Sequence, residues 1–276
     1  MASFQSLRVY TLSEMPTVSG ILKLAAALLA LSQAPAAGGP VVREERRVVI
    51  NGQQEVWRLE WTTPPRPVCG PESAEWFTCP CSGFAFGESG KLDLVRLRQG
   101  REVERLPLAP FFDGGEWPAD SGDALLRRWE LLQSDWDHQP GPVPGVRSRP
   151  QASAMNFGDY DHDGEATEFY LQTNAGPCGH TGGIVVGVSR NAPRLHAFAT
   201  AAHPDEPLFM DEPAWKALLR SQGPARMVVW SCGDHASGTE TELEVSVASG
   251  VIHVTSREYQ CDEHDKRGKL ISQKPL

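Results

Sequence analysis

The residues with the clearest chemistry lie in one acidic segment, Asp159-Tyr160-Asp161-His162-Asp163-Gly164. Asp159, Asp161 and Asp163 stand at positions 1, 3 and 5, with Gly164 at position 6. Alternate carboxylates in a tightly curled loop converge on one point, and Ca²⁺ takes several oxygens at about 2.3–2.6 Å. Gly164 admits the sharp turn, after which the Glu165 carbonyl can face the ion. Without a cation, like charges about 5 Å apart repel by roughly 3 kcal/mol per pair at an effective dielectric near 20. Splaying the carboxylates into water removes most of that penalty, but it leaves the coincidence of spacing and glycine without a reason. The expectation is one Ca²⁺, with Asp159, Asp161, Asp163, Glu165 and Glu168 as its candidate ligands.

The same six residues resemble the calcium loop shared by EF-hands, dockerins and the FG-GAP repeats of integrin-type propellers. The likeness is confined to the loop, about a dozen residues. An EF-hand carries a bidentate acid at position 12, where this chain has Tyr170. An FG-GAP loop usually has an acid at position 9, where Thr167 stands, and the nearest acid is Glu168 at position 10. Glu168, or a water held by Thr167, is therefore the candidate to complete the shell. Glu168-Phe169-Tyr170-Leu171-Gln172-Thr173 is rich in β-formers and reads as a strand, while Asn156-Phe157-Gly158 is no helix. The resemblance thus implies the FG-GAP setting, between strands, rather than helix–loop–helix. A single copy makes no propeller, and its implied role is a structural clip in a β-domain.

Other chemistry is less specific. Cys178-Gly179-His180 and Cys232-Gly233-Asp234-His235 together offer two thiols and two imidazoles, a zinc-type set. The competing reading puts the thiols in disulfides, Cys178–Cys232 among the options, and leaves ordinary surface histidines. Cys79-Pro80-Cys81 lacks an evident third ligand nearby. There is no G-x-S-x-G, no H-E-x-x-H, no phosphate-cradling loop and no dinucleotide fingerprint. Asp234-His235 with a distant serine, or His196 with Asp205, makes a triad only on paper, because triads are recognised by geometry. Six tryptophans, Trp57, Trp61, Trp76, Trp117, Trp136 and Trp230, are available for core or for ligand recognition.

The elements that must position these residues read as mostly β. Hairpins are predicted at Asn51-Gly52, Gln99-Gly100 and Ser249-Gly250, each between runs of alternating or β-branched residues. Ile184–Val188, Leu195–Phe198 and Met227–Trp230 are further candidate strands. Two helices are expected. Asp123 would cap one carrying Leu125, Leu126, Trp129 and Leu132; Asp211 would cap Glu212–Arg220, with Pro213 in its first turn. The fold class is therefore mainly β (α+β), antiparallel hairpins forming a sandwich or barrel-like core with two short helices. The Pro/Gly-rich segment 139–150 either joins two halves, 37–138 and 151–276, or is a long surface loop.

Compartment follows from the N-terminal region and the cysteines. Ile21–Leu31 is a short apolar run, too short to span a membrane, followed by Ala34-Pro35-Ala36. It reads as the core of a signal peptide over residues 1–36, translation starting at Met1 or Met15. Cleavage would remove Arg8, Lys23 and Glu14 from a chain of net charge −9 and leave a net charge of −10. That acidity argues against nucleic acid or an anionic membrane as a partner. Six cysteines allow up to three disulfides, with Cys232–Cys261 the favoured pair and Cys69 joined to Cys79 or Cys81. The resulting expectation is a secreted or periplasmic, disulfide- and calcium-stabilised β-rich module, binding an extracellular ligand or protein or acting structurally, with no membrane span. The alternative is an exported hydrolase whose site is not readable from local motifs.

Overall fold

Asn51 and Gly52 hold φ of 49° and 73°, the pair of positive values that a type I′ turn requires. They join β1 (Val41–Ile50) to β2 (Gln53–Trp61), with Ile50 opposite Gln53. Gln99-Gly100 does the same between β5 (Leu92–Arg98) and β6 (Arg101–Pro107), and Ser249-Gly250 between β14 (Thr239–Ala248) and β15 (Val251–Cys261). All three predicted hairpins form in register with their turn dipeptides. This computed structural model describes residues 39–78, 81–112, 122–176 and 180–276. The expected signal peptide, Cys79, Trp117 and Cys178 lie outside the described residues.

The named strands pair antiparallel in four sheets. The first has the order β1-β2-β5-β6. A small second sheet sets β4 (Gly87–Gly90) between β3 (Arg66–Val68) and β7 (Ala124–Arg127). The central sheet contains β8 (Phe157–Gly158), β9 (Glu168–Ala175), β10 (Thr181–Gly187) and β11 (His196–Ala197), with β12 (Met210–Asp211) also on β10. The last runs β13-β14-β15-β16, where β13 is Ala225–Trp230 and β16 Arg267–Pro275. The fold is mainly β, as expected, with its sheets packed in a sandwich-like arrangement. Gly39–Leu276 is one compact unit.

The central sheet is buried on both faces. Along β9 and β10, Phe169, Leu171, Ile184 and Val186 enter one apolar core with Trp57, Leu59 and Trp61 of β2. The intervening Tyr170 and Val185 enter a second core with Trp215, Leu243, Val245 and Ile252. A period of two thus feeds two cores from one strand pair. Trp57 and Trp61 are fully buried and hold the first core rather than an exposed recognition face. A third cluster gathers Trp76, Phe86, Val143 and Val146, so the Pro/Gly-rich segment is anchored by two buried valines.

The helix expected at Asp211 forms as α1 (Glu212–Arg220), with Pro213 in its first turn and Ala214, Trp215 and Leu218 buried. Asp211 occupies the N-cap position but makes no side-chain capping bond. The helix expected at Asp123 does not form, since Ala124–Arg127 is the strand β7, paired with β4. Ala124, Leu125 and Leu126 are buried in succession. A short continuous apolar run fits a two-sided strand as well as a helix, and the expected spacing could not separate them. Asp123 instead pairs with Lys91 at 3.5 Å, and Leu132 is exposed.

Two disulfides are present among the described residues. Cys232–Cys261 is the favoured pair, and Cys69 bonds to Cys81, one of its two expected partners.

Candidate metal centre

The acidic loop connects β8 to β9, whose pairing sets Gly158 opposite Glu168. It is a connection between strands, and no helix flanks it. His162 and Gly164 take positive φ, 54° and 93°. A Cβ on Gly164 would meet nothing closer than 3.8 Å, so the backbone conformation, not crowding, calls for glycine there.

Carboxylates organise the loop through its own amides. Asp159 accepts the N–H groups of Asp163 (2.9 Å) and Gly164 (3.0 Å), and Asp161 Oδ1 accepts the Asp163 N–H at 3.1 Å. Asp163 accepts from the Glu165 N–H at 2.9 Å and from the Arg190 N–H at 2.5 Å, which moors the loop to the chain beyond β10. Glu168 Oε2 accepts the Tyr160 N–H at 2.8 Å. His162 reaches the Leu218 carbonyl at 3.0 Å, and the Tyr160 ring meets Trp215 edge-on at 6.0 Å. The loop is therefore fixed from three sides before any ion is considered.

Carboxylate oxygens of Asp159, Asp161 and Glu168 lie within 4.8 Å of one another. Two oxygens bound to one calcium ion stand at most about 4.6–5.2 Å apart, twice the usual bond length, so these oxygens are close enough to share one. Asp161 is fully buried, and its Oδ2 has no hydrogen-bond partner. An orphaned carboxylate oxygen in the interior is costly unless a cation or proton meets it. Burial, with the charges of Asp163 and Asp159 added, pushes the Asp161 carboxyl up to about 7. Burial likewise pushes Glu168 up to about 8, against the hydrogen bonds from Thr167 and Tyr160. Thr167 Oγ1 stands 2.6 Å from both Glu168 Oε1 and the Val188 carbonyl. Its single hydrogen can serve only one of these two acceptors at a time.

The five candidate ligands thus divide. Asp159, Asp161 and Glu168 converge. Asp163 lies outside that group and accepts the amides of Glu165 and Arg190. The Glu165 side chain turns toward the Asn51 N–H at 3.4 Å and Arg190 at 3.9 Å, leaving its carbonyl as the only ligand the loop reading required of it. The sequence offered no signal for the tethers through Tyr160 and His162, which depend on a helix more than fifty residues away.

The two-Cys, two-His set needs correction. Cys232 is bonded to Cys261 and has no thiolate to give, which also removes the Cys178–Cys232 option. His180 and His235 do come together, around Asp234. Elsewhere, a cavity of about 740 Å³ opens beside the central sheet, lined by Phe77, Phe84 and Trp136 with Arg127, Tyr170 and Glu212. Arg127 donates to the Gly83 carbonyl at 2.8 Å, which fixes its guanidinium at the wall.

Comparison of the chain with protein-family models, with curated proteins and with solved structures found no match.

Proposed function

We propose that this chain is an exported β-rich binding module, stabilised by its disulfides and by one Ca²⁺ held between Asp159, Asp161 and Glu168. The observation that carries the reading is the buried, unpartnered Oδ2 of Asp161, set among the other two carboxylates. Oxygen-only donors favour a hard cation, and the flexible coordination of calcium suits three carboxylates held by a curled loop better than the near-ideal octahedron that magnesium demands. Bound there, the ion neutralises the buried charges and ties β8 to the start of β9. Its role is a staple, because the loop joins two strands of a sheet buried on both faces rather than two helices free to swing apart.

The binding role rests on the cavity. Its volume falls in the range of small-molecule sites, and its lining combines aromatic rings with a few fixed polar groups. Export is supported by the disulfides and by the apolar run before Ala36.

The decisive experiment compares melting in Ca²⁺ and in EDTA for the wild type and for Asp161→Asn. Calcium at about 100 times its Kd adds about 2.7 kcal/mol. For a unit of this size that is roughly 5–10 °C. The variant keeps the Oδ1 acceptor for the Asp163 N–H and should lose the increment. Equal melting of the wild type in calcium and in EDTA would overturn the calcium reading. N-terminal sequencing of the exported protein tests the compartment: a first residue near 37 supports it, and an intact Met1 or Met15 refutes it.

A further inference from the structure

We infer that His180, Asp234 and His235 form a second metal site, for a Zn²⁺-class transition cation, separate from the acidic loop. The two imidazoles approach the two oxygens of one carboxylate: His180 Nε2 lies 3.3 Å from Asp234 Oδ2, and His235 Nε2 lies 3.5 Å from Oδ1. Zinc binds imidazole nitrogen and carboxylate oxygen at about 2.0–2.2 Å, so neighbouring donors of a tetrahedral ion stand about 3.3–3.6 Å apart. Each imidazole therefore stands at such an edge distance from one oxygen of the carboxylate, His180 from Oδ2 and His235 from Oδ1. All three donor atoms lie within 4.8 Å of one another.

Nitrogen donors separate this cluster from the oxygen-only loop, since imidazole suits zinc, copper, nickel and iron rather than calcium. Three protein ligands leave a fourth position, and the side chains of His180, Asp234 and His235 are 29%, 35% and 34% exposed. Water can therefore fill that position.

Several features restrict the freedom of the site. Trp230 lies against both imidazoles, with ring centroids 4.5 Å from His180 and 5.6 Å from His235, which limits their rotation. The Cys232–Cys261 disulfide pins the chain two residues before Asp234 to the end of β15. His235 and Ala236 both adopt left-handed backbone conformations, φ 50° and 61°. Such conformations are unfavourable for residues with a Cβ and persist where the surroundings impose them, often at functional sites. The turn is closed by the Gly233 N–H donating to Ser237 O at 3.1 Å and the Ser237 N–H donating to Asp234 O at 2.9 Å. It places His235 beside Asp234. Asp265 sits against Gly233, so a Cβ there would come within 2.7 Å of its carboxyl carbon, and this neighbouring acid adds negative potential.

The test is a calorimetric titration of the full chain with Zn²⁺ in excess Ca²⁺, which keeps the acidic loop from taking zinc. Cobalt then replaces zinc as a spectroscopic probe, since tetrahedral Co²⁺ shows intense visible d–d bands. One ion per chain should bind, with the cobalt bands present. His180→Gln and His235→Gln should each weaken binding by at least about 100-fold, beyond the loss typical of a second-shell partner. His253→Gln, at an exposed position of β15, should leave it unchanged. Retention of the calcium-dependent melting increment in the two glutamine variants shows that they fold. Absence of saturable binding in the wild type, or binding untouched by His180→Gln, would reduce the cluster to a hydrogen-bonded His–Asp–His surface network and overturn the proposal.

Discussion

Glu168 reaches back across the acidic loop to accept the Tyr160 N–H at 2.8 Å, although the two residues are eight positions apart. The first residue of β9 thereby closes the loop onto its own start and brings the carboxyl beside Asp159 and Asp161. Glu168→Gln keeps an acceptor for Tyr160 and removes the charge. In EDTA at pH 8 the variant should melt no lower than wild type, because a buried acid that resists ionisation has been replaced by a neutral amide. In calcium it should lose most of the stabilising increment. Paired thermal scans check both, and an unchanged increment would exclude Glu168 as a ligand.

On the proposed reading, calcium would displace protons from the same carboxyls. In the metal-free protein Asp161 and Glu168 are raised to about 7 and about 8 by burial, whereas their unfolded values are near 4. A raised acid binds protons in the folded state that the unfolded chain has released. Its contribution is therefore largest at low pH and declines as pH rises from about 4 through about 8. Calcium competes with those protons, so its effect must grow over the same window. The rise in melting temperature on adding calcium should be clearly larger at pH 8 than at pH 6. Scans in the two buffers at fixed free calcium measure it, and an increment independent of pH would mean that these carboxyls are not the ones bound.

How much of this was legible in the sequence varies with the range of the interaction. The three hairpins announced themselves because Asn51-Gly52, Gln99-Gly100 and Ser249-Gly250 act through their own backbone angles. The loop's curl was also local, and Glu168, one place off the familiar pattern, has a carboxylate oxygen within 4.8 Å of those of Asp159 and Asp161. The strand at Ala124–Arg127 was not legible, since its buried run reflects packing on both faces, which a single chain segment does not encode. The grouping of His180 with Asp234 spans 54 positions. It depends on how β10 and the turn after β13 meet, and the short Cys-His motifs there pointed to a thiolate that the disulfide had already consumed.

Arg149 grips Asp135 with two parallel bonds, 2.7 Å from Nη1 and 2.6 Å from Nη2, and the Leu132 N–H adds a third at 2.7 Å. The Asp135 side chain is almost fully buried. The Arg149 hydrogen bonds hold its carboxyl below the ordinary range, burial opposing them. A depressed acid contributes stability that is full above its unfolded value, near 3.9, and is lost as pH falls through the folded one. Removing one partner of a buried pair costs about 3 kcal/mol or more. Asp135→Asn should therefore lower the urea midpoint at pH 7 and flatten its fall below about pH 4. A variant whose acid limb still parallels wild type would show that the pair is not what titrates.

Gly183 sits at an irregularity in the pairing of β9 with β10, where Gly182 faces Asn174 and Gly183 faces Gln172. A Cβ there would come within 2.1 Å of the Leu171 carbonyl oxygen and 2.9 Å of the Gln172 Cα. Both obstacles are backbone, so no side chain can rotate aside. The Gly183 carbonyl also accepts the buried Trp215 Nε1–H at 3.0 Å, which docks α1 on the central sheet. Gly183→Ala must therefore displace β9, the helix contact, or both. The expected loss exceeds the 1–3 kcal/mol usual for overpacking a core. Because β9 begins at Glu168, the calcium-dependent melting increment should shrink with it. Gly223→Ala, where a Cβ meets nothing within 4 Å, serves as the control and should melt close to wild type. Equal melting of the two variants would mean that the β9–β10 contact is looser than its geometry requires.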